Sequence, residues 1–291
     1  AALFNSPRWS KMGKVAGAGL AVGFAAGGVL SEIYKVGKAF DDAYDKIRVG
    51  TGATGKQLEK LQKDFRNVIG SVPTDFESAS TAVADLNTRL GLTGKPLRRL
   101  SKQFTELSRI TETDVGENIQ KVTRAFGDWQ VKAKDQADTL DFLFRASQAS
   151  GASVSELADQ VVKFGAPLRQ VGFDIEEAVA MFAQFEKAGV NTQTMMPGLR
   201  FALKQFLLED IDPKKGLIRA FRDIEDGTMK ASEALDLFGQ RAGADMIEAI
   251  RQGRFDLDEF TKSLAESDET IRGAGRETMD FAEHWQKFRN Q

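Results

Sequence analysis

Few residues of this 291-residue chain are of a type that does chemistry, and their spacing argues against most of it. Residues 50–57 read GTGATGKQ, close to the G-x-x-x-x-G-K-[ST] loop whose backbone amides cradle phosphates. Gln57 stands where a hydroxyl would hold magnesium, and no apolar strand leads into Gly50. The stretch therefore reads as a Gly-rich turn between helices, with Thr54 capping the second. Gly17 and Gly19 lack the strand and the spacing of a dinucleotide fingerprint. His284 is the single histidine, beside Trp285 and near Asp280 and Glu283, and no second histidine exists to complete a zinc site. It reads as a surface or interface residue. Acid pairs such as Glu176/Glu177 and Asp258/Glu259 have the look of helix starts, which favour acids. Cysteine is absent, which removes disulfides, thiol nucleophiles and thiolate zinc sites. No nucleophile elbow and no H-E-x-x-H is present. The expectation is a chain without catalytic, cofactor-binding or metal residues.

The elements that carry these residues are helical almost throughout. Apolar side chains step by three and four at Leu58, Leu61, Phe65 and Val68; at Phe76, Ala79, Val83, Leu86 and Leu90; and at Leu97, Leu100, Phe104 and Leu107. The same spacing recurs at Ile119, Val122 and Phe126; at Ile175, Val179, Phe182 and Phe185; at Leu199, Leu203 and Phe206; at Leu217, Phe221 and Ile224; and at Phe281, Trp285 and Phe288. No alternation marks a strand. Ser153 with Glu156 forms a capping box, and Thr74, Asp114 and Asp174 stand where caps belong. Gly52, Gly55, Gly94, Gly151, Gly172, Gly189 and Pro197 read as helix turns. Breaks at roughly 20-residue intervals predict helices of about 10–17 residues. Such helices are marginal alone and must pack. The expected fold is all-α: an irregular array of about a dozen short helices packed as hairpins, with an Ala/Gly-rich helix at the N-terminus. The 21 phenylalanines, against 2 tyrosines, suit the seams of such a core.

The net charge of −2 argues against a dedicated nucleic-acid binder. Residues 1–100 carry 15 basic and 9 acidic side chains, the remainder 25 and 33, a polarity able to orient an assembly. Residues 15–31, VAGAGLAVGFAAGGVLS, carry no charge and follow Arg8, Lys11 and Lys14. Three readings stand side by side: a signal peptide without a sharp cleavage site, a slightly short membrane helix, and a packed or flexible Ala/Gly helix. Gly13, Gly17, Gly19, Gly23 and Gly27 give the small-residue spacing that lets helices approach closely in a membrane or a bundle. The domain reading is therefore 1–31 basic then apolar, 32–255 a helical core region, and 256–291 a C-terminal helical segment. Ala1 in place of Met, and a helical pattern running into Gln291, read as a fragment of a longer chain.

Residues 39–54, AFDDAYDKIRVGTGAT, followed by KQLEKL from Lys56, resemble the opening of the core region of phage tail tape measure proteins. The resemblance continues in order through LNTRLGLTG at 86–94, ASGAS at 149–153 with Glu156 and Leu157, FGAPLRQVGF at 164–173 with Glu176 and Glu177, FEKAGVNT at 185–192 and PGLR at 197–200. It covers roughly residues 15–250, and its specificity lies in the ordered series. It implies a structural, non-enzymatic protein that sets tail length, occupies the tail lumen or tip and assists genome ejection through the host envelope. It implies as partners other copies of the chain, tail tube and tail tip proteins, and the host membrane on ejection, with no specific nucleic-acid site. Two other readings rest on the residues themselves: a membrane-active pore former, from residues 15–31, and a soluble helical binding scaffold, from the short helices and abundant Phe.

Overall fold

The computed structural model describes residues 26–280, 282–283 and 286–287, with the backbone alone for 26–33 and 241–242. Among these residues the chain is all-α, with fifteen helices and no strand. The first nine are α1 Ala26–Thr51, α2 Gly55–Ile69, α3 Phe76–Leu90, α4 Gly94–Thr111, α5 Val115–Asp128, α6 Gln136–Ser150, α7 Val154–Phe164, α8 Ala166–Gln170 and α9 Ile175–Ala188. The remaining six are α10 Thr192–Leu208, α11 Pro213–Glu225, α12 Ala231–Phe238, α13 Gln240–Arg251, α14 Leu257–Glu266 and α15 Ile271–Glu277.

The three–four spacing explains which face of each helix turns inward. Leu61, Phe65 and Val68 of α2, Leu97, Leu100, Phe104 and Leu107 of α4, and Val179, Phe182 and Phe185 of α9 are all buried in one continuous core. Local chemistry fixes the starts. Ser153 and Glu156 form a reciprocal capping box on α7, Asp174 and Glu177 another on α9, and Asp114 accepts the Glu117 amide at the start of α5. Thr74 was expected to cap α3, but Asp75 does so, accepting the Ser78 amide at 2.6 Å. A carboxylate is the better acceptor there. Thr54 precedes α2 in extended conformation, yet its side chain makes no capping bond.

Gly52, Gly55, Gly94, Gly151, Gly172 and Gly189 all have positive φ, between 52° and 89°. Gly151 shows the reason: it ends α6 in the left-handed region while its amide bonds back to Ser147. Pro197 is a correction. It lies inside α10 and is no turn. The buried seam of Met195, Met196, Leu199 and Leu203 continues across it, and its ring stands on the exposed face, where a missing amide bond is tolerated. Helix α1, at 26 residues, runs past Gly50 and through residue 31 without a break. Gly27 lies within it; Gly13, Gly17, Gly19 and Gly23 lie outside the described residues.

Helices pack on the neighbour next but one. Helix α1 lies on α3, α3 on α5, α5 on α7 and α7 on α9, while α2 lies on α4 and α4 on α6. Two rows result, joined by contacts such as α3 with α4 and α6 with α7. Helices α10 to α13 form a further cluster, reached through α9. Phe255 joins this cluster to α9, stacking on Phe185 at 5.4 Å and meeting Phe221 edge-on at 5.3 Å. The chain then returns: α14 packs on α6 and α9, and α15 on α4.

Candidate functional site

The near-phosphate loop serves as a helix joint. The Thr51 hydroxyl donates to the Ile47 carbonyl at 2.7 Å and accepts the Ala53 amide at 3.2 Å. A Cβ at Gly50 would stand 3.2 Å from that of Ala84, so this glycine lets α1 approach α3. Lys56 is exposed, with no strand before it. The acid pairs are likewise absorbed into the architecture. Glu177 caps α9 and pairs with Lys214 at 2.6 Å, and Asp258 pairs with Arg222 at 2.5 Å. Glu176 is pushed above its ordinary pKa by burial and then by Asp174 beside it. Among the described residues no group of three or more His, Cys, Asp and Glu is arranged to hold a metal. His284, Trp285, Phe281 and Phe288 lie outside the described residues.

The most connected polar groups sit inside the core, and periodicity alone did not reveal them. Asp64 accepts the Gly94 amide at 2.8 Å and Arg98 at 2.6 Å, tying α2 to the start of α4. Asp141 on α6 accepts the Ile271 amide at 3.0 Å and the Gln103 amide group at 2.9 Å. Burial raises its pKa, and those two hydrogen bonds oppose the rise. Arg145 donates to the carbonyls of Leu264 and Glu269. Arg109 on α4 reaches Glu106 at 2.6 Å, Glu283 at 2.5 Å and the Gly275 carbonyl at 2.5 Å. Burial works against the Arg109 charge, but its bonds to Glu106 and Glu283 prevail and hold its pKa above the ordinary value. Three side chains from α4 and α6, Arg109, Asp141 and Arg145, thus clasp the returning C-terminal segment. The signal in sequence was an acid or arginine placed within an apolar seam, as at Asp64, Glu106 and Asp141.

The outer surface has its own focus at α10. Pro197, Phe201, Lys204 and Leu208 recur at four- and three-residue steps on its outward face, and Arg200 and Leu207 stand alongside. Leu207 is 61% exposed and Leu208 70%, and Phe201 and Ile211 are exposed with them. Clefts of about 480 Å³ flank the start of this helix. One is polar, formed by Glu156, Asp159, Gln160 and Lys163 of α7 with Glu186 and Thr192. Gln160 donates to Glu186 at 2.6 Å across it, and the buried Thr192 hydroxyl has no hydrogen-bond partner among the described residues. The other is lined by Pro197, Gly198, Phe201, Phe238 and Gln240. No nucleophile is poised against a base here. The arrangement offers apolar area flanked by hydrogen-bonding groups, which is the make-up of a protein-contact surface. The phenylalanines expected in seams, 65, 104, 126, 182, 185 and 206, are all buried, whereas Phe201 is turned outward.

No curated protein and no solved structure matches the chain. A family model described as phage-related minor tail protein matches residues 62–266, from within α2 to the end of α14. This span takes in helices α3 to α14, with the α10 surface and the first returning helix, well over half of the molecule. The chain belongs to the phage-related minor tail protein family.

Proposed function

We propose that this structural tail protein is part of a tape measure. It sets tail length during assembly, lies in the tail lumen or tip and assists passage of the genome through the host envelope. The observation that carries this reading is the ordered motif series from residue 39 to residue 200, most of it inside the family match. The turns at Gly52, Gly94, Gly151 and Gly189 each join two helices that pack on each other, so this portion acts as a compact helical unit alongside a longer extended ruler. Its partners are other copies of the chain, tail tube and tail tip proteins and, on ejection, the host membrane. The membrane part rests on residues 15–31; among the described residues no helix is long and apolar enough to cross a bilayer.

The test is tail length. About 42 residues of helix-forming heptads inserted after the codon for Gln291 lengthen tails by roughly 60 Å, at 1.5 Å per residue. Electron micrographs of phage carrying the insert measure this directly. Tails of unchanged length would overturn the ruler reading while leaving the structural tail role intact.

A further inference from the structure

Helices α2 and α4 together carry nine lysines and arginines against three acids. Two of those acids lie inside, Asp64 against Arg98 and Glu106 against Arg109. Glu59 is the one acid that the two helices expose. Lys56, Lys60 and Lys63, at steps of four and three, line one side of α2, and Lys95 and Lys102, seven apart, line one side of α4. None of these five lysines makes an ion pair with another described side chain. Neighbouring elements do not cancel the charge. At the start of α6, Asp135 and Asp138 face Lys134 and Arg99 at 3.8 and 2.5 Å, and Lys134 joins Lys95 and Arg99 around a cleft of about 150 Å³. From Tyr34 to its end, α1 carries four cations and three acids.

The returning segment adds positive charge beside Lys102. Burial, and then Arg272, Arg98 and Lys287, hold the Lys102 pKa below the ordinary lysine value. The charges acting on it all share its sign; Asp268 and Glu277, exposed on the same segment, are not among them. The buried Arg272 Nε has no hydrogen-bond partner among the described residues. Like charges crowded in this way call for an anion from outside. The whole-chain charge of −2 does not register the patch, because the acids are concentrated elsewhere.

We infer that the outward face of α2 and α4 holds the phosphate backbone of double-stranded DNA, without regard to sequence. The inference rests on the reading that the chain assists passage of the genome, and names the contact. Lysines on flexible stems neutralise phosphates and release counterions, which needs no base contact. The aromatic rings of these helices, Phe65 and Phe104, are buried, so no platform is offered for the stacked bases of a single strand. The exposed large apolar side chains of the described residues lie on α1, on α10 and at Ile211, leaving this face without a group to insert into a bilayer.

Fluorescence anisotropy of a labelled duplex of about 30 base pairs, titrated with the 291-residue chain, tests this. The wild-type chain binds, and the logarithm of its association constant falls with the logarithm of salt concentration at a slope of about −4 to −5, for five phosphates neutralised. One variant carries Lys56→Gln, Lys60→Gln, Lys63→Gln and Lys95→Gln, all at exposed positions. It binds at least about tenfold more weakly and its slope shrinks toward about −1. A second variant, Arg200→Gln, Lys204→Gln, Lys215→Gln and Arg219→Gln, removes the same charge from exposed positions of α10 and α11 and binds as wild-type does. Far-ultraviolet circular dichroism checks that both keep their helix content. Absence of binding by the wild-type chain at about 50 mM salt overturns the inference, as does equal loss in the two variants or none in the first. Flotation with phosphatidylserine vesicles that the first variant abolishes, in a chain that leaves the duplex unbound, assigns the face to a membrane and overturns it as well. Tail length in the heptad-insertion phage reads the tape-measure proposal separately from any of these outcomes.

Discussion

Asp141 on α6 joins two other helices, α4 and α15, through one buried carboxylate. Its two carboxylate oxygens hold the Gln103 amide of α4 and the backbone amide that opens α15. Replacement by Ala leaves the Ile271 amide buried without an acceptor, an expected cost of about 1–3 kcal/mol in denaturant unfolding. Replacement by Asn keeps an acceptor for Ile271 but sets its NH₂ against the Gln103 NH₂, which also donates to the Ala137 carbonyl. The pH dependence separates the two carboxyl states. Burial raises the folded pKa above the ordinary 3.8, so the folded chain holds this proton to higher pH than the unfolded chain does. Stability therefore falls as pH rises from about 3.8 through the folded value. Melting temperatures across pH 3–7 are expected to show wild-type losing ground to Asp141→Asn in that window, with the gap constant above it. A gap that grows as pH falls would contradict this assignment.

At the scale of elements, two glycines make opposite predictions. Gly127 lies in α5, and a Cβ there meets nothing within 4 Å. Gly127→Ala should stabilise by about 0.5–1 kcal/mol through helix propensity alone. Gly165 lies between α7 and α8 against the indole of Trp129. That ring donates to the Val161 carbonyl at 3.1 Å and is covered by Arg169 at 5.1 Å, so it has little room to yield. Gly165→Ala should cost about 1–3 kcal/mol by overpacking. Chemical denaturation of both variants measures the difference.

Much of this level was legible in sequence. The seams of α2, α4 and α9 and the capping box at Ser153 follow from spacing, because a helix repeats every 3.6 residues whatever surrounds it. Pro197 was not legible as helix interior, since its effect depends on whether the neighbouring seam is buried deeply enough to carry the helix across it. The outward face of α10 was missed for a related reason. Leu207 and Leu208 extend a seam that already ends at the buried Phe206, and only the packing shows that they point away from it. The acids of the clasp were missed because their partners lie far along the chain: Asp141 meets Ile271 across 130 residues.

For the whole molecule, the returning segment is the one element that ties late residues to early ones. Removing residues 257–291 deprives Asp141 and Arg145 of their partners and uncovers the apolar surface that Phe260, Leu264 and Ile271 shield. Thermal unfolding of the truncated chain is expected to begin several degrees lower, at about 2–4 °C per kcal/mol lost for a chain of this size. An unchanged transition would mean that the clasp contributes nothing to the array. The fold class was legible from the lack of alternation and the regular breaks, but the return was not, because α14 carries the same amphipathic pattern as helices that simply continue a row and α15 is too short to carry one.

Next-but-one packing has a consequence for how the chain is made. In the two rows a helix needs only partners that lie within a few tens of residues before it, so the array can condense in order as it leaves the ribosome, with short loops to close at each step. The latch on α4 and α6 is the exception: it forms only when residues 257–283 have been synthesised, more than a hundred residues after the helices that receive them. Until then, Asp141, Arg109 and the surrounding apolar groove of the nascent chain are open. Completion of this unit is thus timed by translation, and the last helices to appear act as its seal.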